Sequence, residues 1–261
     1  MSVPLRAPTI RFRKEQAMAT RIDEVASGIF RISEFGPDYG ISFNQFLIVD
    51  DRPALIHTGT VPMYERVRAA VSQIIDPAKL AYIVIPHFEA DECGGMSRFI
   101  KGAPKAELLC SEIGAAINLA GWEYCGPFRG MRDGSTVELG EHKLRFIETP
   151  HVHHWDSMMV LEETTNSLFP ADLFIQPGEQ PAMITQDLGK EMCALYRGAG
   201  IFGGEKPVLQ CVDRIQRINP TLIHPMHGGS MSAQTLPKFV NALRTQPFTY
   251  DGMLLGRLLP S

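Results

Sequence analysis

Four times along this 261-residue chain an apolar run stops at an imidazole or a carboxylate. "LAYIVIPH" ends at His87, "LRFIETPHVH" at His153, "SLFPAD" at Asp172 and "PTLIHPMH" at His227. Short runs rich in β-branched and aromatic residues read as buried strands. A polar side chain desolvated at a strand exit is costly unless something satisfies it. In α/β proteins, ligands bind just past the C-terminal ends of strands. The pattern therefore calls for a fold that gathers these exits into one place. Six of the eight histidines fall in these segments or directly after one, a distribution that scattered core histidines do not produce.

The first exit is the densest. In "HFEADECGG" (87–95), His87, Glu89, Asp91 and Glu92 fall within six positions, and a glycine turn follows. This spacing suits a tight loop whose alternate side chains point to one centre, with the adjacent Asp–Glu pair turned to a second. A bound cation would make ligands of groups that are otherwise unpaired. Alone, the hexapeptide fits a solvated acidic loop with an incidental histidine equally well. The other exits favour a metal: His151, His153, His154 and Asp156 in "TPHVHHWDSM", Asp172 in "LFPADLF" and His227 in "HPMHGG".

The rest of the chain supplies the frame. Strands are expected over 28–33, 42–51, 52–59, 80–86 and 106–111. Helices are expected over 63–75, through "CGGMSRFIKGA" and over 111–122, the last capped by Ser111. Strands resume over 135–140, 142–149, 157–163 and 167–173. A helical, glycine-bearing stretch covers roughly 185–217. A last strand and turn lie in 220–229, and a closing helix in 235–243. Strands followed by strand–helix alternation, twice over, imply two sheets face to face with helices outside. Residues 1–27 are assigned to an N-terminal arm and 28–261 to one domain.

Composition narrows the partners. The formal charge is −4, from 25 Lys and Arg against 29 Asp and Glu, so there is no basic field for nucleic acid. No apolar run approaches the roughly 20 residues that span a bilayer. The N-terminus has basic residues but no apolar stretch after them, unlike a secretory leader. The five cysteines, Cys93, Cys110, Cys125, Cys193 and Cys211, are scattered, which fits a reducing cytoplasm better than a disulfide framework.

Taken together, these segments resemble the metallo-β-lactamase superfamily. Within it, the chain is most similar to the diiron domain of flavodiiron proteins and to stand-alone oxygen-binding diiron proteins. "HFEADE" matches the family's His-x-Glu-x-Asp-His up to the last position. "TPHVHHWDSM" aligns His153 with a ligand histidine, "LFPADLF" aligns Asp172 with the bridging aspartate, and "HPMHGG" aligns His227 with the final ligand turn. "GISFNQFLI" (40–48) looks like an early strand of the family. The similarity runs from about residue 28 to 240.

The resemblance implies an α/β fold, a four-layer αβ/βα sandwich of two mixed sheets with helices outside and the site at one edge. It assigns His87, Glu89, His153 and Asp172 to one iron. It assigns Asp91, Asp172, His227 and Glu92 to a second. Manganese and zinc are the alternative metals. Asp91, Asp172 and Tyr196 are the candidate catalytic residues. The implied function is a non-haem diiron protein that binds or reduces dioxygen or nitric oxide, served by a separate reductase or acting as an oxygen sensor, and working as a homodimer. The alternative is a dinuclear-metal hydrolase acting on a phosphodiester, thioester or lactone, with Asp91 orienting the attacking water.

Ligand chemistry separates the two. The zinc hydrolases of the superfamily carry His-x-His-x-Asp-His, whereas here Glu89 and Glu92 replace imidazoles. More carboxylate and less imidazole shifts preference toward harder, redox-active ions. The chain also departs from the family. The tail "TYDGMLLGRLLPS" has no phosphate-cradling glycine loop, so no FMN is expected within it. His57 stands where the superfamily usually has a buried aspartate, and Asp38 where some relatives carry a histidine. Asp156 is read as holding a ligand histidine in its tautomer, His224 as a packing or capping residue, and Cys93 as a buried thiol.

Overall fold

Strand alternation sorts the side chains into layers. A computed structural model describes residues 20–122 and 124–252. Its first half runs β1 (Arg21–Ala26), β2 (Ile29–Gly36), β3 (Ile41–Ile48), β4 (Ala54–Ile56), α1 (Tyr64–Ser72), β5 (Tyr82–Val84), α2 (Ala90–Cys93), α3 (Met96–Gly102), β6 (Glu107–Ser111), α4 (Glu112–Gly114) and β7 (Phe128–Met131). Its second half runs β8 (Thr136–Glu138), β9 (Lys143–Glu148), β10 (Met158–Glu162), β11 (Ser167–Phe169), β12 (Met183–Ile184), α5 (Gly189–Ala199), α6 (Glu205–Ile218), β13 (Leu222–Ile223), β14 (Ser230–Ser232) and α7 (Leu236–Thr245).

Strands β1 to β7 form one sheet in chain order, antiparallel from β1 to β4 and parallel from β4 to β7. The second sheet has the order β12-β14-β13-β11-β10-β9-β8 and is also mixed. Successive side chains on a strand face opposite sides. Ile83 and Ile85 accordingly pack with Val67 of α1 and Phe99 of α3. Tyr82 and Val84 join Phe146, Val160 and Phe169 between the sheets. In β10, Met159 and Leu161 turn outward to Met192, Val212 and Phe239 of α5, α6 and α7, while Met158 and Val160 turn inward. The result is four layers around three apolar cores. Truncating a central ring such as Phe146 to alanine is expected to cost about 3–5 kcal/mol.

The outer helices follow their spacing. Val208, Cys211, Val212 and Ile215 form the buried stripe of α6, and Leu236, Phe239, Val240 and Leu243 that of α7. Ser111 caps α4, its hydroxyl accepting the N–H of Gly114 at 3.1 Å. The single helical stretch expected over 185–217 is two helices: α5 stops at Gly200, whose left-handed φ of 68° suits glycine. Residues 21–26, assigned to the arm, form β1 and pair with β2. Residues 1–19 of that arm, and the tail from 253, lie outside the described residues. No helix among the described residues is long and apolar enough to cross a membrane.

Candidate metal centre

The four strand exits do meet. His87 follows β5, His153 lies between β9 and β10, Asp172 follows β11, and His227 follows β13. Glu89 is the residue before α2 and has an extended backbone (φ −122°, ψ 153°). Its carboxylate does not cap the helix. It lies 3.4 Å from Nε2 of His87 and 3.0 Å from Nε2 of His153. One ligand atom each from His87, Glu89, His153 and Asp172 fall within 4.8 Å of one another.

Asp172 stands in the middle. Its Oδ2 is 2.9 Å from Nε2 of His153 and 3.5 Å from Nε2 of His87. Its Oδ1 faces the other way, 3.3 Å from Nε2 of His227, which is itself 3.3 Å from Oδ2 of Asp91. The left-handed φ of 51° at Ala171, uncommon for a residue with a side chain, sets the direction of this turn. Tyr196 then fixes it: its hydroxyl donates to the carbonyl of Asp172 (2.8 Å) and accepts from the N–H of Ile175 (3.1 Å).

The turn bearing His227 is held from below. Nδ1 of His227 donates to the carbonyl of Ser42 at 2.8 Å, which directs Nε2 to the carboxylates. Asn44 donates to the carbonyls of Pro225 (2.9 Å) and Gly228 (2.7 Å), and fully buried Arg31 also donates to Gly228 (2.9 Å). Gly228 has φ 108°, and a Cβ there would come within 2.7 Å of Gln176 Oε1, so the position requires glycine. Ser42, Asn44, Arg31 and Gln176 were not singled out from sequence. For Arg31, Ser42 and Asn44 the available signal is polar residues inside the otherwise apolar strands "IFRIS" and "SFNQFLI"; Gln176 has none.

Proximity sets the charges. Burial by itself raises the Asp172 carboxyl, but His153, His227 and His87 reverse this and hold it well below the usual range. His153 and His87 likewise hold Glu89 well below it. Burial lowers the imidazoles of His153 and His227, yet Asp172 with Glu89 raises the first to about 9, and Asp172 with Asp91 raises the second to about 10. Burial lowers His87 too, and Glu92, Asp172 and Glu89 lift it well above 6.5. Oδ1 of Asp172 is buried and makes no hydrogen bond. Oxygen and imidazole donors crowded at 3 Å, with an orphaned carboxylate oxygen among them, fit a cation.

Two of the expected site residues meet neighbours that the sequence did not show. Glu92, expected at the second metal, instead lies behind His87: its Oε2 is 3.0 Å from Nδ1 of His87, and its Oε1 is 3.5 Å from Nδ1 of His57. The reason is that α2 begins at residue 90, so Asp91 and Glu92 diverge by about 100° around a helix axis rather than sharing a loop face. Tyr196, expected to be catalytic, has its hydroxyl bonded to backbone, because the buried stripe of α5 (Met192, Cys193, Tyr196) faces the core.

The flanking residues also take places. Asp156 accepts the N–H of Phe88 (3.2 Å) and lies 3.4 Å from Nδ1 of His154. His151 and Asp38 are exposed. His224 is buried between Phe46 and Phe169, 2.7 Å from the Ser230 hydroxyl. Burial pushes the Cys93 thiol up to about 12, with Glu92 and Asp91 adding to it.

A model of the ODP family of β-lactamases matches residues 41–228. The chain belongs to this family. Relatives include a nitric oxide reductase of Moorella thermoacetica, 30% identical over 74% of this chain and 50% of its own length. A rubredoxin-oxygen oxidoreductase of Megalodesulfovibrio gigas is 27% identical over 52% of this chain and 34% of its own. This ODP-family chain thus spans half or less of these relatives. Among solved structures, the rubredoxin oxygen:oxidoreductase from Desulfovibrio gigas superposes with a TM-score of 0.77 at 22% identity, covering 87% of this chain and 62% of that one. The flavodiiron protein from Giardia intestinalis does so at 0.76 and 18%, covering 88% and 61%. The metallo-β-lactamase-like sandwich is therefore the fold of this ODP-family chain, and its relatives are flavodiiron proteins.

Proposed function

We propose that this chain holds two iron ions and uses them to bind and reduce dioxygen or nitric oxide, with electrons from a separate carrier. The observation that carries this reading is Asp172, whose two oxygens face two different sets of imidazoles. His87, Glu89, His153 and Asp172 would hold one ion; Asp91, Asp172 and His227 would hold the other. When bound, the ions supply the electrons and the Lewis acidity of the reaction.

The protein's part is to orient and to exclude. The Ser42 carbonyl keeps Nε2 of His227 forward, and Tyr196 keeps the Asp172 turn in place. Phe43 presents its ring to His227 (5.2 Å between centroids) and Phe202 to His153 (6.3 Å). Three carboxylates among the six ligand side chains favour iron over zinc. Two relatives, a nitric oxide reductase and a rubredoxin-oxygen oxidoreductase, point the same way. The second name also suggests a small iron–sulfur carrier as the donor.

The test is anaerobic. Protein stripped of metal and reloaded with ferrous iron is given nitric oxide, and its spectrum and headspace are followed. Two nitric oxide molecules take up two electrons and two protons to give nitrous oxide and water. A new visible absorption and nitrous oxide release are expected. A silent iron-loaded protein, together with thioester or lactone hydrolysis by the zinc-loaded form, would replace this reading with the hydrolase.

A further inference from the structure

Behind the metal centre sits a second acid–imidazole contact. His57 follows β4 in a left-handed conformation (φ 62°), and Glu92 lies in α2; both side chains are fully buried. The backbone ties them together: the N–H and hydroxyl of Thr58 both donate to the carbonyl of Glu92, at 2.6 and 2.9 Å. The Glu92 carboxylate then faces two imidazoles, His87 and His57, and its Oε2 also accepts the main-chain N–H of His87 at 3.3 Å. Nδ1 of His87 makes no hydrogen bond among the described residues, and Oε2 of Glu92 lies 3.0 Å from it. The opposite edge of the same ring, Nε2, faces Glu89 and Asp172.

A ligand imidazole binds through one nitrogen, and the partner of the other nitrogen decides which. We propose that Glu92 is a positioning residue, not a ligand: it takes the Nδ1 hydrogen of His87, turns Nε2 to the first metal, and leaves the second metal to Asp91, His227 and the shared Asp172. The two positions are then unequal. The first has four protein side chains and an oriented histidine. The second has three, and is the weaker and more open one, where a small ligand finds room. This rests on the dinuclear reading above.

The experiment is a ferrous titration of stripped, full-length protein under argon, in competition with a chromophoric chelator. The wild type should bind in two steps, tight then weaker. Glu92→Gln should weaken the tight step by about 10- to 100-fold, as loss of a histidine's outer partner does, and leave the weaker step within about threefold. Loss of the weaker step with the tight one unchanged would make Glu92 a ligand and overturn the proposal. A single step in the wild type, even with excess iron, would remove the dinuclear reading and the proposal with it. Should Glu92→Gln fail to fold, nitrogen NMR of zinc-loaded wild type decides. His87 protonated at Nδ1 supports the proposal, and His87 bound to metal through Nδ1 overturns it.

Discussion

Strand β10 runs between two buried clusters built from the same kinds of residue. At its far end Glu162 accepts the N–H groups of Thr164 and Thr165, both at 2.7 Å, and lies 3.1 Å from Nδ1 of His142. Nearby, Asp50 accepts the N–H groups of Asp51, Glu141 and His142. At its near end, where Met158 donates to the carbonyl of Pro86, the carboxylates of Asp172 and Glu89 meet imidazoles instead. A carboxylate whose lone pairs are taken by backbone donors is complete and structural. One that faces only other ligand-type side chains is incomplete until a cation arrives. Residue type does not separate the two ends; the source of the donors does.

The largest effect is expected at Asp172. Asp172→Ala should empty both metal positions while the sandwich stays folded, as elemental analysis and circular dichroism would show. Retention of two metals by this variant would break the contrast between the two ends. Next comes Glu89→His, which should move selectivity from iron toward zinc, measured by loading from an equimolar mixture. Unchanged iron preference would remove the argument from ligand hardness.

Protons sharpen the comparison further. In the bare site, burial works against the charged imidazoles of His153 and His227, but their carboxylate partners hold them at about 9 and about 10. A raised histidine stabilises the fold fully below its unfolded value of about 6.5, and that contribution fades as pH climbs through its folded value. Stripped protein should therefore lose melting temperature between about pH 6.5 and about pH 10. Metal binding needs both rings deprotonated, so metal-loaded protein should gain relative stability over the same window. Parallel melting curves across that range would contradict this. The smallest effect on metal is expected from Glu162→Gln, which should lower stability by about 1–3 kcal/mol through unsatisfied threonine donors and leave metal content unchanged. A loss of iron there would show that the far end is not independent.

Much of this was legible in the chain. Buried alternation gave the long strands and the layer order, and polar stops after them marked His87, His153, Asp172 and His227. Four features escaped. Strands β7, β12 and β14, two to four residues long, are too short for any period to register. β1 is an edge strand with only Val25 buried, so its pattern looks polar, like that of an arm. The direction of Glu92 depends on whether residues 90–93 are loop or helix, which four residues cannot announce. The roles of Asn44, Arg31 and Tyr196 are contacts between segments distant in sequence, and only the folded chain brings them together.

On the proposed reading, Asp172 joins two metal positions at the near end of the sandwich. A crystal of the iron-loaded protein, with anomalous difference density collected on both sides of the iron edge, tests it directly. Two peaks are expected, one among His87, Glu89, His153 and Asp172 and one among Asp91, His227 and Asp172, with one aspartate oxygen on each. A single peak, or two peaks that Asp172 does not bridge, would contradict it.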